Sequence, residues 1–263
     1  MKTIFITGAS SGLGKAVAKL FISKGWKVIA TMRNPKKEKE LNNLKNVILL
    51  PLDVTSHAQI NETVQKAIAL GDIDVVFNNA GIGLIGPLET TKDAQVVSLL
   101  NTNLLGVIRV VHAFIPYFRE KQKGMFITTT SIGGLIAMPF NAVYHATKWG
   151  LEGWSESMAF ELQKIGVTIK TVSPGGIKSD FFQSQETSSH PAYQQSFDKY
   201  FSAMNDGFIF STPESIAEVV YEAATDGKDQ LRYVAGEEAK QWYANRLQVG
   251  DEVFRKQIAQ RLS

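Results

Sequence analysis

Ser131, Tyr144 and Lys148, in the stretch TTTSIGGLIAMPFNAVYHATK from Thr128 to Lys148, are the residues whose types and spacing could carry proton chemistry. If the chain is helical from Val143 onward, Tyr144 and Lys148 stand one above the other as an i, i+4 pair. An ammonium there is near enough to act on a phenol. Free tyrosine loses its proton near pH ~10, so one that exchanges a proton near neutrality needs a positive neighbour favouring phenolate. Lys148 would supply that charge. A Ser131 hydroxyl at the end of the preceding strand would hold a carbonyl or alcohol oxygen against the Tyr144 hydroxyl. A tyrosine and a lysine four apart are equally an ordinary amphipathic helix face, so the surrounding elements decide.

Those elements begin with KTIFITGASSGLGKAVAKLFISKGWKVIATMRN. The pattern predicts a strand from Thr3 to Thr7, a glycine-rich turn, a helix from about Gly12 to Lys24 with Val17, Leu20 and Phe21 on its apolar face, and a strand from Lys27 to Met32. Gly8, Gly12 and Gly14 would let a pyrophosphate approach backbone amides and the positive end of the helix; alone they are also just a tight turn. Where an NAD-binding fold puts an acid after its second strand, this chain reads Thr31, Met32, Arg33. An arginine there would welcome a 2′-phosphate, which favours NADP; the plainer reading is a surface arginine.

A third strand, Val47 to Leu52, ends in Asp53, whose carboxylate would accept from an adenine amino group or cap the following helix, about His57 to Ala69. The fourth strand runs into Asn78, Asn79, Ala80, Gly81 and Ile82, either a cofactor-lining edge or a simple turn. Asn103 sits within a long apolar-periodic segment from Asp93 to Glu120 that carries Pro116 near its end. Its side chain either makes a hydrogen bond within the core or holds a water or a backbone carbonyl beside the site. A fifth strand, Met125 to Thr130, leads to Ser131; a helix continues through Leu162; a sixth strand, Thr168 to Val172, ends in Ser173 to Ser179. Strand and helix alternate throughout, the pattern of an α/β, Rossmann-like, doubly wound parallel sheet.

The 263 residues suit a single such domain, and 44% hydrophobic with 20% charged residues are enough for a sizeable core. The net charge of +3 is dispersed. Its densest basic run, Arg33 to Lys45, is broken by Glu38 and Glu40 and reads as a solvated helix face, so no nucleic-acid stripe is expected. The absence of cysteine excludes disulfides and thiolate metal sites, no metal centre is expected, and a reducing compartment fits. The N-terminal apolar run Ile4 to Ile6 is too short for a signal core, and no stretch is expected to reach the length of a membrane span, giving a cytoplasmic expectation.

The ordered set TGASSGLG (Thr7 to Gly14), Asp53, NNAG (Asn78 to Gly81), Asn103, Ser131, Tyr144 with Lys148, and PGGIKS (Pro174 to Ser179) resembles the short-chain dehydrogenase/reductase family in its shorter form, over most of the chain. The resemblance implies that Tyr144 is the acid/base, that Lys148 binds the nicotinamide ribose and lowers the tyrosine pKa, that Ser131 binds the substrate oxygen and that Asn103 fixes a proton-relay water. It implies NADP or NAD held by Gly8, Ser10, Ser11, Gly12, Leu13, Gly14, Arg33, Asp53, Val54, Asn79, Ala80, Gly81, Tyr144, Lys148, Pro174, Gly175, Ile177 and Ser179. Substrate contacts are expected at Ser131, Met138, Tyr144, His145, Gly176, Phe181 and Met204, with Met138, Phe140 and His145 equally able to be packing. Arg33 falls where NADP-preferring members often carry a basic residue. Ser11 stands where those members frequently carry a second one, which leaves NAD open.

The segment Asp180 to Ser211 lies where the family keeps its variable substrate lid. It holds Phe181, Phe182, Tyr193, Phe197, Tyr200, Phe201, Met204, Phe208 and Phe210 with no sustained helical or alternating period, and is expected to be a mobile lid. These side chains either pack the lid onto the body or line a pocket for a bulky apolar carbonyl compound. The tail Glu237 to Ser263 reads as a polar-faced helix or pair of helices. Its Trp242, Tyr243, Leu247, Val249, Phe254 and Ile258 need a surface on this subunit or a partner, and a homodimer or homotetramer is expected. The expected activity is that of a carbonyl reductase or alcohol dehydrogenase, a ketoreductase interconverting a ketone and a secondary alcohol. The alternative is a catalytically silent nucleotide-binding sensor or scaffold of the same fold. Presence of Asn103, Ser131, Tyr144 and Lys148 together argues for the enzyme. A third reading is epimerase or dehydratase chemistry on the same fold, but such relatives are usually longer, with a distinct C-terminal domain for which this chain is expected to lack room.

Overall fold

A computed structural model describes residues 1–179, 181, 185–205 and 209–261; Asp180, Phe182, Phe208 and the side chain of Met204 lie outside the described residues. Nine strands are present among the described residues: β1 (Thr3–Thr7), β2 (Lys27–Met32), β3 (Val47–Pro51), β4 (Val75–Asn78), β5 (Leu84–Ile85), β6 (Gly124–Thr129), β7 (Val167–Pro174), β8 (Glu186–Thr187) and β9 (Arg232–Ala235). Seven of them form one parallel sheet in the order β3-β2-β1-β4-β6-β7-β9, and β5 pairs with β8 separately. The helices are α1 (Gly12–Ser23), α2 (His57–Ala69), α3 (Asp93–Leu100), α4 (Gly106–Lys121), α5 (Ala142–Leu162), α6 (Pro191–Asn205), α7 (Pro213–Thr225), α8 (Glu237–Val249) and α9 (Asp251–Ala259).

Runs such as Ile4-Phe5-Ile6 and Val28-Ile29-Ala30 are apolar at every position because both faces of the sheet are covered. On one face Ile4, Ile6, Val28 and Phe77 meet Val17 and Phe21 of α1 and Val220 of α7. On the other, Phe5, Ile29, Val76 and Phe126 meet Ile60 of α2, Val110 and Phe114 of α4 and Leu151 of α5. The chain leaves the β3 edge and returns beside β1 at β4, so the carboxyl ends of β1, β4, β6 and β7 open on one crevice, where doubly wound sheets take their ligands.

Several expectations need correction. The basic run from Arg33 is not a helix face but two single turns, Pro35–Lys37 and Leu41–Asn43. Glu38 turns inward there, accepting from the N–H groups of Glu40 (2.8 Å) and Leu41 (3.0 Å) and lying 3.0 Å from Lys15 Nζ. Asp93–Lys121 is one continuous 29-residue helix, long and apolar enough by length and composition to cross a membrane, where the sequence was expected to hold no such stretch. Here Val107, Val110, Val111, Phe114 and Phe118 bury its apolar face against the sheet, as in a core helix. The lid segment contains a regular helix, α6, with Phe197, Tyr200 and Phe201 at i, i+3, i+4 spacing. In the sequence, the further aromatics on either side of this stretch hide that period. Strand β9, only four residues long, offers no period of its own in the sequence. The tail is a pair of helices whose Ala239, Phe254 and Ile258 cover Ile132, Leu135 and Ile136 of the same subunit, while Leu247 remains exposed.

Candidate active site

β6 delivers Ser131. Thr130 extends the strand by donating to Val172 O (2.9 Å), and Ser131, in extended conformation, starts a tight turn in which its Oγ accepts from Gly133 N–H at 3.0 Å. That turn lies flat on α5: a Cβ on Gly134 would stand 2.8 Å from Lys148 O and 3.1 Å from Glu152 Cγ. His145 fastens the same loop, its Nδ1 donating to Gly133 O and its Nε2 accepting from Met138 N–H at 3.0 Å. Burial holds the imidazole below its ordinary pKa, and hence neutral. Both ring nitrogens are committed to backbone, so His145 positions the loop rather than reaching a substrate. Met138 is half-buried against the cluster of Phe254 and Ile258.

Tyr144 and Lys148 rise from the first turns of α5 as the spacing predicted. Burial around the Tyr144 hydroxyl pushes its pKa up to about 12, with a hydrogen bond to Ser131 pulling the other way. Lys148 is 6% exposed; its Nζ donates to Thr129 O at 2.9 Å and lies 5.7 Å from the Tyr144 ring centroid. Burial pushes the lysine down to about 8, opposed by the charge of Glu152. The expectation that Lys148 lowers the tyrosine pKa is therefore corrected for this state of the protein. Desolvation outweighs the Ser131 hydrogen bond, and Tyr144 is a phenol at neutral pH, the form that donates a proton.

Asn103 occupies a single π turn, Asn101–Leu105, that joins α3 to α4. Its Oδ1 accepts from Ile82 N–H and its Nδ2 donates to Ile82 O, both at 2.9 Å. The buried amide thus clamps the strand end after Asn79-Ala80-Gly81 to the helix. Thr7, an unread contributor, accepts through Oγ1 from Asn79 N–H (2.9 Å) and Ala80 N–H (3.1 Å). Asn79 Nδ2 donates back to Gly8 O at 3.1 Å, so Asn79 braces the glycine turn.

The glycine turn fits a dinucleotide pyrophosphate. Gly8 has φ 68°, and a Cβ on Gly14 would stand 2.3 Å from Gly8 O and 2.6 Å from Asn79 Nδ2. Leu13 is buried beneath the turn, whereas Ser10 and Ser11 are exposed at the start of α1, where the Ser11 hydroxyl makes no cap bond to the helix amides. A Cβ on Gly12 would face Ser179 Cβ at 3.4 Å, so the loop from Pro174 through Gly175 and Ile177 to Ser179 closes over this turn. Gly176, expected as a substrate contact, is buried, and its carbonyl accepts from Ser211 N–H at 2.9 Å. Arg33 is exposed at the end of β2. Asp53 does not cap α2, a task Ser56 performs by accepting from Gln59 N–H; its Oδ1 accepts instead from Thr55 N–H (2.9 Å) and Oγ1 (2.7 Å). Burial raises the Asp53 pKa, but the Thr55 bonds and the charge of Arg33 bring it below the ordinary value. Val54 is a buried wedge 3.1 Å from where a Gly106 Cβ would stand. A nicotinamide dinucleotide, held by the glycine turn, Asp53, Ala80, Gly81 and Lys148, would supply the hydride.

Above Tyr144 lie aromatics. The Phe181 ring centroid is 6.4 Å from that of Tyr144. Phe140 has a left-handed backbone (φ 62°) and its carbonyl accepts from Gly86 N–H at 2.8 Å. Its ring meets Phe197 (5.2 Å) and Tyr200 (6.4 Å) of α6. The base of this segment is sewn to the body by the β5–β8 pair and by Gln95 Nε2 donating to Glu186.

Comparison with known proteins agrees with this geometry. The family model for short chain dehydrogenase matches residues 2–190. An uncharacterized oxidoreductase of Schizosaccharomyces pombe is 39% identical over 226 residues, 85% of this chain and 96% of that protein. Human 17-beta-hydroxysteroid dehydrogenase type 1 is 32% identical over 255 residues, 89% of this chain and 77% of that protein. Among solved structures, a short-chain dehydrogenase from Streptomyces avermitilis superposes with TM-score 0.86 at 27% identity, covering 98% of this chain and 95% of that one. ElxO with NADP bound gives 0.77 at 28% identity, covering 93% and 99%. With its seven-stranded parallel sheet, its glycine turn and Ser131, Tyr144 and Lys148 gathered at one crevice, the chain belongs to the short-chain dehydrogenase/reductase family, as an NAD(P)-dependent oxidoreductase.

Proposed function

We propose that the protein is an NADP-preferring carbonyl reductase that reduces a bulky, mainly apolar ketone to a secondary alcohol. The observation that carries this reading is the Ser131–Tyr144 hydroxyl pair, with Tyr144 held as a phenol, beneath an aromatic wall that includes Phe181. The two hydroxyls lie within hydrogen-bond reach of each other, so a carbonyl oxygen placed between them would meet two donors, with Phe181 as an apolar neighbour. The hydroxysteroid named for the human relative is of the same chemical character. A panel of aryl ketones, diketones, steroids, retinoids and short aliphatic ketones, assayed with NADPH and with NADH, tests it. Bulky apolar ketones are expected to be reduced with kcat/KM at least tenfold above small polar ones; a preference for small polar ketones overturns the reading.

The preference for NADP rests on Arg33, exposed at the end of β2, with Thr31 and Met32 buried beside it and no acid in their place. Removing a charge-assisted hydrogen bond costs about 1.5–3 kcal/mol, so Arg33→Ala should weaken NADPH about 10- to 100-fold and leave NADH nearly unchanged in fluorescence titrations. Equal losses for both cofactors, or wild-type preference for NADH, would show the assignment to be wrong. A homodimer or homotetramer belongs to the same proposal, supported by Val97, Leu105, Trp149 and Phe160, which lie exposed on α3, α5 and the turn between α3 and α4. Light scattering after size exclusion checks it, and a monomer at micromolar concentration would refute it. Action in the cytoplasm, also proposed, is tested by cell fractionation.

A further inference from the structure

One buried carboxylate near the site takes no part in the chemistry described so far. Glu152 is 3% exposed and lies one turn beyond Lys148 on the same face of α5. Its Oε1 accepts from Ser173 Oγ at 2.8 Å, and its Oε2 accepts from Thr171 Oγ1 at 3.2 Å and from Arg232 Nε at 2.8 Å. Every one of these partners donates, the arrangement of an anion. Thr130, next to Ser131, donates to Ser173 Oγ at 2.9 Å and so orients the serine proton toward Glu152. The β7–β9 register sets Arg232 directly beside Thr171. The turn after Ser131 lies on the Lys148 backbone carbonyl and the Glu152 side chain, 2.8 Å and 3.1 Å from where a Gly134 Cβ would stand, and both side chains are buried, Lys148 at 6% and Glu152 at 3% exposed. With water shut out, a charge one helical turn away acts strongly.

We propose that Glu152 is a positioning residue that keeps the Lys148 side chain in its ammonium form, and that Arg232, fixed by β9, holds Glu152 in place as the anion that does so. Lys148 has one hydrogen-bond acceptor on β6, the carbonyl of Thr129, and the Tyr144 ring on its own helix. From the turn between α3 and α4, the uncharged Asn103 donates at 3.5 Å to the hydroxyl of Thr147, the residue before Lys148 on α5. The groups facing Glu152 are Thr171 and Ser173 from β7 and Arg232 from β9. Behind Arg232 stand Glu156 of α5, at 3.7 Å, and Tyr243 of α8. Arg232 is 28% exposed at its side chain, so solvent screens its repulsion of Lys148 while its bond to Glu152 stays direct. The kinetic consequence rests on the reductase reading above; the lysine's own titration does not.

The test is a pH titration of the Lys148 side chain by carbon NMR in lysine-labelled protein, the signal being assigned by its loss in Lys148→Arg. In Glu152→Gln the midpoint should fall by about one pH unit or more, whereas Glu152→Asp, which keeps the charge, should stay nearer the wild type. Should Glu152→Gln fail to fold, Glu152→Gln combined with Arg232→Gln leaves no guanidinium without its carboxylate, and its Lys148 must still titrate below wild type. The alkaline limb of kcat/KM for NADPH should move down with the lysine. An unchanged Lys148 midpoint in the charge-free variants overturns the inference. A lowered midpoint with an unmoved kinetic limb supports it and places the fault in the catalytic role given to Lys148.

Discussion

Tyr144→Phe lowers the rate of ketone reduction by about 100- to 10,000-fold, the usual contribution of a general acid, while NADPH still binds. The loss is expected in kcat and kcat/KM together, because the phenol donates its proton only as negative charge develops on the substrate oxygen. Ser131 continues to offer one hydrogen bond, which sets a floor under the residual rate. The pH profile carries a sign of its own. Tyr144, raised to about 12, stays protonated throughout the accessible range, so the first group to change charge on the alkaline side is Lys148, lowered to about 8. In wild type kcat/KM for NADPH should be level below pH ~7 and decline as pH rises through the lysine's pKa, since that parameter reports the free enzyme. Near-normal turnover by Tyr144→Phe on a good substrate would remove the tyrosine from the chemistry.

Gly14→Ala is expected to damage both folding and cofactor binding. Its Cβ meets the backbone carbonyl of Gly8 at 2.3 Å and the Asn79 amide at 2.6 Å, and neither can retreat without breaking the bond between them. Overpacking of this kind costs about 1–3 kcal/mol, which for a chain this size lowers Tm by about 3–10 °C. The glycine turn and the β4 end move apart together, so NADPH affinity should fall more than about tenfold even in the fraction that folds. Differential scanning calorimetry and cofactor titration check both effects, and a variant that melts and binds like wild type would show that the turn relaxes freely.

The doubly wound sheet was legible because its signals are local. Apolar strands, a glycine turn and a helix with Val17 and Phe21 on one side follow one another within the first thirty-odd residues. Ser131, Tyr144 and Lys148 were legible for the same reason, lying on one strand–turn–helix unit. What escaped was set by partners distant in sequence. Glu152 looks like any helix glutamate until β9 supplies Arg232 from 80 positions away. His145 stands beside the reactive tyrosine, and only the path of the loop shows both its nitrogens committed to Gly133 and Met138. The tyrosine pKa lies above its ordinary value because of burial, which a spacing does not show, with the Ser131 hydrogen bond pulling the other way.

The strand order also governs how the molecule is made. All pairings in the seven-stranded sheet are parallel, so no two neighbours are joined by a hairpin and each must close a long crossover before any ladder bond rewards it. β9 is the extreme case: it follows every other strand of the sheet in the chain, yet it supplies the guanidinium that pairs with the buried carboxylate of Glu152 on α5. Until it docks, the nascent chain carries an unpaired charge under α5 and an open edge on β7, both of which favour self-association. Slow synthesis at low temperature should therefore raise the soluble yield, and a chain shortened before residue 232 should aggregate even though every residue of the catalytic constellation is present.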